Sequence, residues 1–149
     1  MILSAQTIRR RCGAPDPMRA YLADYTPPRL FGAPMISPFN ERSVENGMSF
    51  GLSCHGYDVR VAEDLHITNG SFVLASTIEH FSMPLDLCAE VKDKSSFARQ
   101  GVAVQNTVIE AGWRGHLTLE ITKHSLGYLF IPPGSPIADE TETAPIEPG

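Results

Sequence analysis

Two segments of the chain hold residues whose types and spacing suit chemistry. The first is Lys92-Asp93-Lys94-Ser95-Ser96-Phe97-Ala98-Arg99-Gln100-Gly101, where a serine pair precedes a predicted single helical turn that stops at Gly101. Ser95 or Ser96 then lies beside free N–H groups, and Lys94 and Arg99 add positive charge, a mixture that suits a phosphate. An ordinary capped turn with solvated charges accounts for the same local pattern. The second segment is the run His116–Thr122, in which Leu117, Leu119 and Ile121 alternate with Thr118, Glu120 and Thr122. Such a strand buries its aliphatic row and turns the other outward. A carboxylate with a threonine on either side leaves room for a small molecule and suits general-base work. An exposed Glu on a solvent face has the same local signature.

Weaker candidates surround these two. The string Val108-Ile109-Glu110-Ala111-Gly112-Trp113-Arg114-Gly115 reads as a hairpin turn, its glycines permitting positive φ. Glu110 there is a second site carboxylate or a turn residue, and Trp113 a stacking platform or a packing anchor. Asp58 and Arg60, two apart on a predicted strand, suit a buried or inter-subunit ion pair with each other. Metal chemistry finds little support. None of His55, His66, His80, His116 or His124 begins an HxE or HxxxH pattern, and no Pro-Cys-x-x-Cys occurs, so the zinc-dependent base deaminases are excluded. The phosphate-binding loops G-x-x-x-x-G-K-[ST] and G-x-G-x-x-G are also missing.

The elements that must position these residues are short. The chain has 149 residues, 12 Gly and 12 Pro, which favours many tight turns within one domain. Ser4 caps a predicted helix through Ile8 to Arg11. Residues 13–50 show no clear period and read as irregular wrapping. Strands are expected at Tyr57–Ile67, Phe72–Phe81, Leu87–Lys92, Val102–Ile109, His116–His124 and Tyr128–Ile131, a spacing that points to a sandwich or barrel, and to a jelly roll in particular. The end of the chain, with Asp139, Glu140, Glu142 and Glu147 and no basic residue, is expected as an acidic mobile tail over 139–149, beyond a domain of residues 1–138. A net charge of −5 argues against nucleic acid or an anionic membrane as partner. Three scattered cysteines, an N-terminus unlike a secretion signal and no membrane-spanning run lead to the expectation of a cytoplasmic protein.

Taken together, MILSAQTIRR, GLSCHGYDVRVAEDL, STIEHFSMPLDL, DKSSFARQG and NTVIEAGWRGHLTLEIT resemble, in order, the motifs of the dCTP deaminase branch of the trimeric dUTPase superfamily. The resemblance implies an all-β fold, a distorted jelly-roll β-barrel of the dUTPase-like type with a short N-terminal helix. It also implies a homotrimer with active sites between subunits, and zinc-independent deamination of dCTP or a close cytosine deoxynucleotide. By the same resemblance Glu120 is the general base, Ser95 and Arg99 are catalytic, and Lys94 and Ser96 hold the triphosphate. Asn106, Thr107, Glu110 and Trp113 are expected around the substrate, with Mg²⁺ bound through the nucleotide phosphates. Glu110 stands where dUTPases carry the aspartate that activates water, so a dUTPase-like pyrophosphatase is the alternative enzyme. By the same resemblance, the Gly/Gln-rich, partly basic C-terminal segment that closes over the phosphates in that family is expected to be missing, which keeps a non-catalytic nucleotide-binding regulatory trimer as a third reading.

Overall fold

A computed structural model of the chain describes residues 2–13, 33–45 and 47–143. Helix α1 (Ala5–Arg11) begins as its sequence dictates: the Ser4 hydroxyl accepts the Thr7 N–H at 3.4 Å, and Ile8 is the face it buries. Its last turn carries Arg9, Arg10 and Arg11, cations favoured at the negative end of the helix dipole. Two of them tie the helix down through paired hydrogen bonds, Arg9 to Glu41 at 2.7 and 3.0 Å and Arg11 to Asp86 at 2.6 and 3.0 Å.

The rest is β. In chain order the strands are β1 (Ile36–Ser37), β2 (Ser43–Glu45), β3 (Met48–Leu52), β4 (Gly56–Arg60), β5 (Leu65–Ile67), β6 (Phe72–Ser82) and β7 (Cys88–Asp93). A single helical turn, α2 (Ser95–Ala98), precedes β8 (Val102–Val104), β9 (Val108–Ile109), β10 (Arg114–Lys123), β11 (Leu129–Ile131) and β12 (Pro136–Thr143). One sheet has the order β1-β6-β10-β8 and a second β2-β3-β4-β12-β7-β9, with β11 and β5 forming a separate pair. Every pairing is antiparallel. The core is a continuous cluster that includes Tyr57, Val59, Phe81, Leu87, Val91, Leu119, Ile121, Ile131 and Ile137. Burying such aliphatic and aromatic side chains is the main term holding the sheets together. The expected all-β jelly-roll class with a short N-terminal helix is the observed one.

Several local expectations need correction. The predicted strand Tyr57–Ile67 is two strands, because residues 62–64 leave the second sheet; there the Ala62 N–H bonds to the Ser76 carbonyl and the Glu63 carboxylate accepts the Ser76 N–H. Val102–Ile109 is likewise divided, β8 pairing with β10 and β9 with β7. For the same reason the turn 110–113 joins strands of different sheets and is not a hairpin. Within the stretch expected to be irregular, β1, β2 and β3 form, while residues 14–32 lie outside the described residues. The expected mobile tail does not begin at residue 139. Strand β12 runs to Thr143 between β4 and β7, so backbone pairing on both edges orders it despite its acidic composition; residues 144–149 lie outside the described residues. Asp58 and Arg60 do form ion pairs, but with other partners: Asp58 with Lys94, and Arg60 with the fully buried Glu79.

Candidate active site

Glu120 owes its position to β10. Leu117, Leu119 and Ile121 are buried, so period-two alternation turns Thr118, Glu120 and Thr122 to the opposite face. Glu120 is half-buried, its backbone carbonyl accepts the Gln105 N–H at 2.9 Å, and the Thr107 hydroxyl donates to its Oε2 at 3.4 Å. That last bond is long, which leaves the carboxylate's acceptor capacity largely available. A cavity of about 320 Å³ opens beside it, lined by Thr107, Glu110, Trp113, His116, Thr118 and Glu120 among others. Its size is that of a small-molecule site, with two carboxylates, two hydroxyls and an indole converging on it. The turn at its rim requires glycine: Gly115 has φ +147, and a Cβ there would lie 3.2 Å from the Trp113 ring.

The serine pair stands on α2. Lys94 is the N-cap residue, Ser95 is exposed, Ser96 half-buried and Arg99 exposed, and Phe97 anchors the turn in the core. Gly101 closes it at φ +78, where a Cβ would fall 2.6 Å from the Ser125 side chain. A buried lysine completes the anchorage. Lys123 donates to the Ser125 carbonyl, the Ser125 hydroxyl and the Leu126 carbonyl at 2.7–2.9 Å, and Ser125 donates in turn to the Gln100 carbonyl at 2.6 Å. Nothing local in the sequence marks this network, since Gln100 and Ser125 lie 25 residues apart.

A second, more polar cavity of about 260 Å³ lies at this turn, with Arg42, Ser49, Asp58, Asp93, Lys94 and Ser95 in its lining. Ser49 is the centre of Gly47-Met48-Ser49-Phe50-Gly51, a string with the G-x-S-x-G spacing of a hydrolase elbow. It sits inside β3 and not at the strand-to-helix turn that such an elbow needs, so it is no nucleophile of that type. Lys94, expected at the nucleotide phosphates, lines this cavity. Its ammonium donates to Asp58 at 2.7 Å, with both side chains about nine-tenths buried, and reaches the Ser49 hydroxyl at 3.5 Å. The buried pair ties the N-cap residue of α2 to β4.

The structure thus brings Thr107, Glu110, Trp113 and Glu120 to one cavity and puts Lys94 and Ser95 at another. Asn106, Ser96 and Arg99 line neither. His116 lines the Glu120 cavity and is the residue that sequence reasoning missed; it lies on the same strand face, four positions before Glu120. A third and larger cavity, about 570 Å³, is lined by Arg11, Met35, Met83, Leu85 and Arg114 with five others and shares no residue with these two. Among the described residues no group of three His, Cys, Asp or Glu side chains is arranged to hold a metal ion, and no helix is long and apolar enough to cross a membrane.

Comparison with known proteins follows the same lines. The dCTP deaminase of Nautilia profundicola is 36% identical in an alignment 117 positions long, gaps included, that takes in 59% of this chain and 63% of that enzyme. This chain therefore spans less than two thirds of the length of that relative. Among solved structures, the native EIAV dUTPase superposes with a TM-score of 0.60 at 18% identity, covering 77% of this chain and 92% of its own. A mutant of the dUTPase from phage phi11 of S. aureus, described for its coordination of a structural Mg(II) ion, gives 0.59 at 14% identity, covering 74% and 87%. At such identities the structural likeness speaks for the fold alone. The sequence model described as dCTP deaminase-like matches residues 55–139, which take in Asp58, the α2 turn and all of β10. On that match, over more than half its length, the chain belongs to the dCTP deaminase-like family.

Proposed function

We propose that this chain catalyses zinc-independent hydrolytic deamination of dCTP, or a close cytosine deoxynucleotide, with Glu120 as general base. The observation that carries the reading is Glu120 itself, half-buried on the outward face of β10 and lining a cavity of small-molecule size with Thr107 and Trp113. Family membership and the dCTP deaminase relatives support it. In the reaction Glu120 takes a proton from water as the water oxygen bonds to C4 of the cytosine ring. It delivers that proton to N3 of the ring, then carries the hydroxyl proton of the C4 adduct to the amine as the C4–N bond breaks, so that ammonia leaves with the uracil nucleotide as the other product. The Thr107 hydroxyl stands 3.4 Å from one oxygen of that carboxylate and 3.4 Å from the Gln105 carbonyl, with one proton to donate between them.

Ser95 and Arg99 act in this reading on a neighbour's Glu120 and not on their own, because Ser95 lines a different cavity of its chain and Arg99 lines neither. A homotrimer supplies the neighbour. The face around Glu120 favours burial by a second copy: Leu74 lies directly across from Glu120 and Phe72 across from Thr122, each 60% exposed. Mg²⁺ enters as part of the substrate, on its phosphates, where it neutralises charge; the described residues present no ligand cluster of their own.

Glu110 supports a second reading. It lines the same cavity as Glu120, so a dUTPase-like pyrophosphatase would use it to activate water toward a phosphate. The deciding experiment incubates the purified protein with Mg²⁺ and dCTP, dCMP, dUTP or dTTP and identifies products by chromatography and mass spectrometry. Ammonia with the uracil nucleotide, reduced about 10²–10⁴-fold in Glu120→Gln, is the expected result. Pyrophosphate from dUTP, lost in Glu110→Gln and kept in Glu120→Gln, would overturn it in favour of the second reading.

A further inference from the structure

The cavity of about 570 Å³ is built where four segments meet: the end of α1, the residue before β1, the turn from β6 to β7 and the turn from β9 to β10. Backbone hydrogen bonds tie these segments to one another. The Met35 N–H bonds to the Arg11 carbonyl at 3.1 Å and the Ser82 N–H to the Met35 carbonyl at 2.8 Å. The Met83 N–H bonds to the Trp113 carbonyl at 2.9 Å and the Gly112 N–H to the Pro84 carbonyl at 3.2 Å. Gly112 has φ +80, and a Cβ there would lie 3.1 Å from the Leu85 side chain, so the glycine lets the two turns close on each other. Arg11 and Asp86, both in the lining, add their paired hydrogen bonds at 2.6 and 3.0 Å. The walls are therefore fixed before any ligand arrives, as in most small-molecule sites.

We infer that this cavity is a binding site for a small aromatic monocarboxylate, separate from the site at Glu120. Met35 and Met83 line it from the buried core, and Leu85, 88% exposed, adds apolar surface open to solvent. Thioether side chains adapt to an aromatic ring and attract it. The lining also sets the charge of the ligand. Two arginines and one aspartate leave one positive charge in excess, and Asp86 is already matched by Arg11. Arg114 is exposed and, among the described residues, its guanidinium has no hydrogen-bond or ion-pair partner. A planar guanidinium pairs with one carboxylate through two parallel hydrogen bonds. A triphosphate carries several negative charges and is badly matched by one free cation, whereas a neutral ring leaves Arg114 unused. The lining shares no residue with the Glu120 cavity, although Gly112 and Arg114 flank Trp113, which lines that one, so both sites can be filled at once.

The test titrates 3-phenylpropionate and its neutral amide, 3-phenylpropionamide, into the purified protein by ligand-observed NMR, with and without excess dCTP. Wild type is expected to bind the acid about tenfold more tightly than the amide, and dCTP should leave both affinities unchanged. Arg114→Gln should weaken the acid to the level of the amide without moving the amide, and Arg114→Lys should recover part of the loss. Leu85→Asp should weaken both compounds, the acid more. Arg114 and Leu85 are exposed, so these variants keep the fold, which circular dichroism checks. Equal binding of acid and amide by the wild type, no binding of either, or a preference that survives in Arg114→Gln overturns the site. Acid binding that Leu85→Asp leaves intact and dCTP displaces puts the probe in the nucleotide cavity and overturns it as well.

Discussion

Replacing Lys94 with methionine separates two uses of one cation. In the structure its ammonium lies 2.7 Å from Asp58, with side-chain exposures of 9% and 11%. Removing one member of a buried pair strands the other charge, a loss of about 3–5 kcal/mol in comparable sites. Here Ser49 lies within reach and a polar cavity adjoins the pair, which gives water a route to the stranded Asp58. The expected cost of Lys94→Met is therefore at the lower end, about 3 kcal/mol. For a chain of this size that lowers Tm by about 6–12 °C. Asp58→Leu should cost a similar amount. The double variant, in which two apolar side chains meet, should return to within about 1 kcal/mol of wild type, since a buried pair and a packed apolar replacement are often nearly equivalent. Urea unfolding followed by circular dichroism, at one fixed protein concentration, reads all four proteins; the fixed concentration matters because an oligomer's stability depends on it. Lys94→Met within about 0.5 kcal/mol of wild type, together with a raised KM for the nucleotide, would refute the reasoning and return Lys94 to the phosphates.

Two further substitutions follow from the same geometry. Gly101→Ala puts a Cβ at φ +78 and 2.6 Å from Ser125, so it should destabilise by about 1–2 kcal/mol for the left-handed backbone alone. It should also lower kcat/KM by disturbing the turn that carries Ser95 and Arg99; unchanged melting and kinetics would count against that turn as a positioned element. At Asp86 the Arg11 guanidinium, hydrogen-bonded to both oxygens, holds the carboxyl below its ordinary value, and slight burial opposes it. A carboxyl depressed in the folded state adds stability that is complete above its unfolded pKa and is lost as pH falls through the folded one. Because Asp86 is 57% exposed, the gain is about 0.2–1 kcal/mol. The stability difference between wild type and Asp86→Asn should therefore shrink below about pH 4, and a difference that is constant down to acid pH would exclude the linkage.

What was legible in the sequence was local. The Ser4 cap, the alternation of β10 and the glycine that ends α2 depend on residues within a turn or two of each other, and each stands as read. The partners of Asp58 and Arg60 were not legible, because Lys94 and Glu79 lie 36 and 19 residues away and only the pairing of sheets brings them in. Composition misled at β12. Its acidic residues suggest a solvated tail, yet β4 on one side and β7 on the other supply backbone partners that no property of residues 136–143 announces. His116 escaped notice for a similar reason. As a lone histidine in a strand it matches no ligand motif, and what orients it is a carbonyl 39 residues earlier, that of Thr77.

The division of the candidate residues between two cavities is itself a consequence of strand order. Chain direction runs from α2 into β8, and β8 pairs with β10 so that Val102 faces Lys123 and Val104 faces Ile121. The end of α2 is thereby pinned beyond the Lys123 end of β10, where Ser125 and Gly101 lock together. The Glu120 cavity extends the other way, toward Trp113 and His116. Lys94, meanwhile, draws the start of α2 toward Asp58 on β4 in the other sheet. A turn held at one end by the Lys123–Ser125 network and at the other by a buried ion pair has no freedom to swing onto Glu120 of its own chain. If Ser95 and Arg99 act with Glu120, the rigidity of these two anchors requires a second copy of the chain, and the exposed Leu74 and Phe72 beside Glu120 are the apolar surface such a copy would cover.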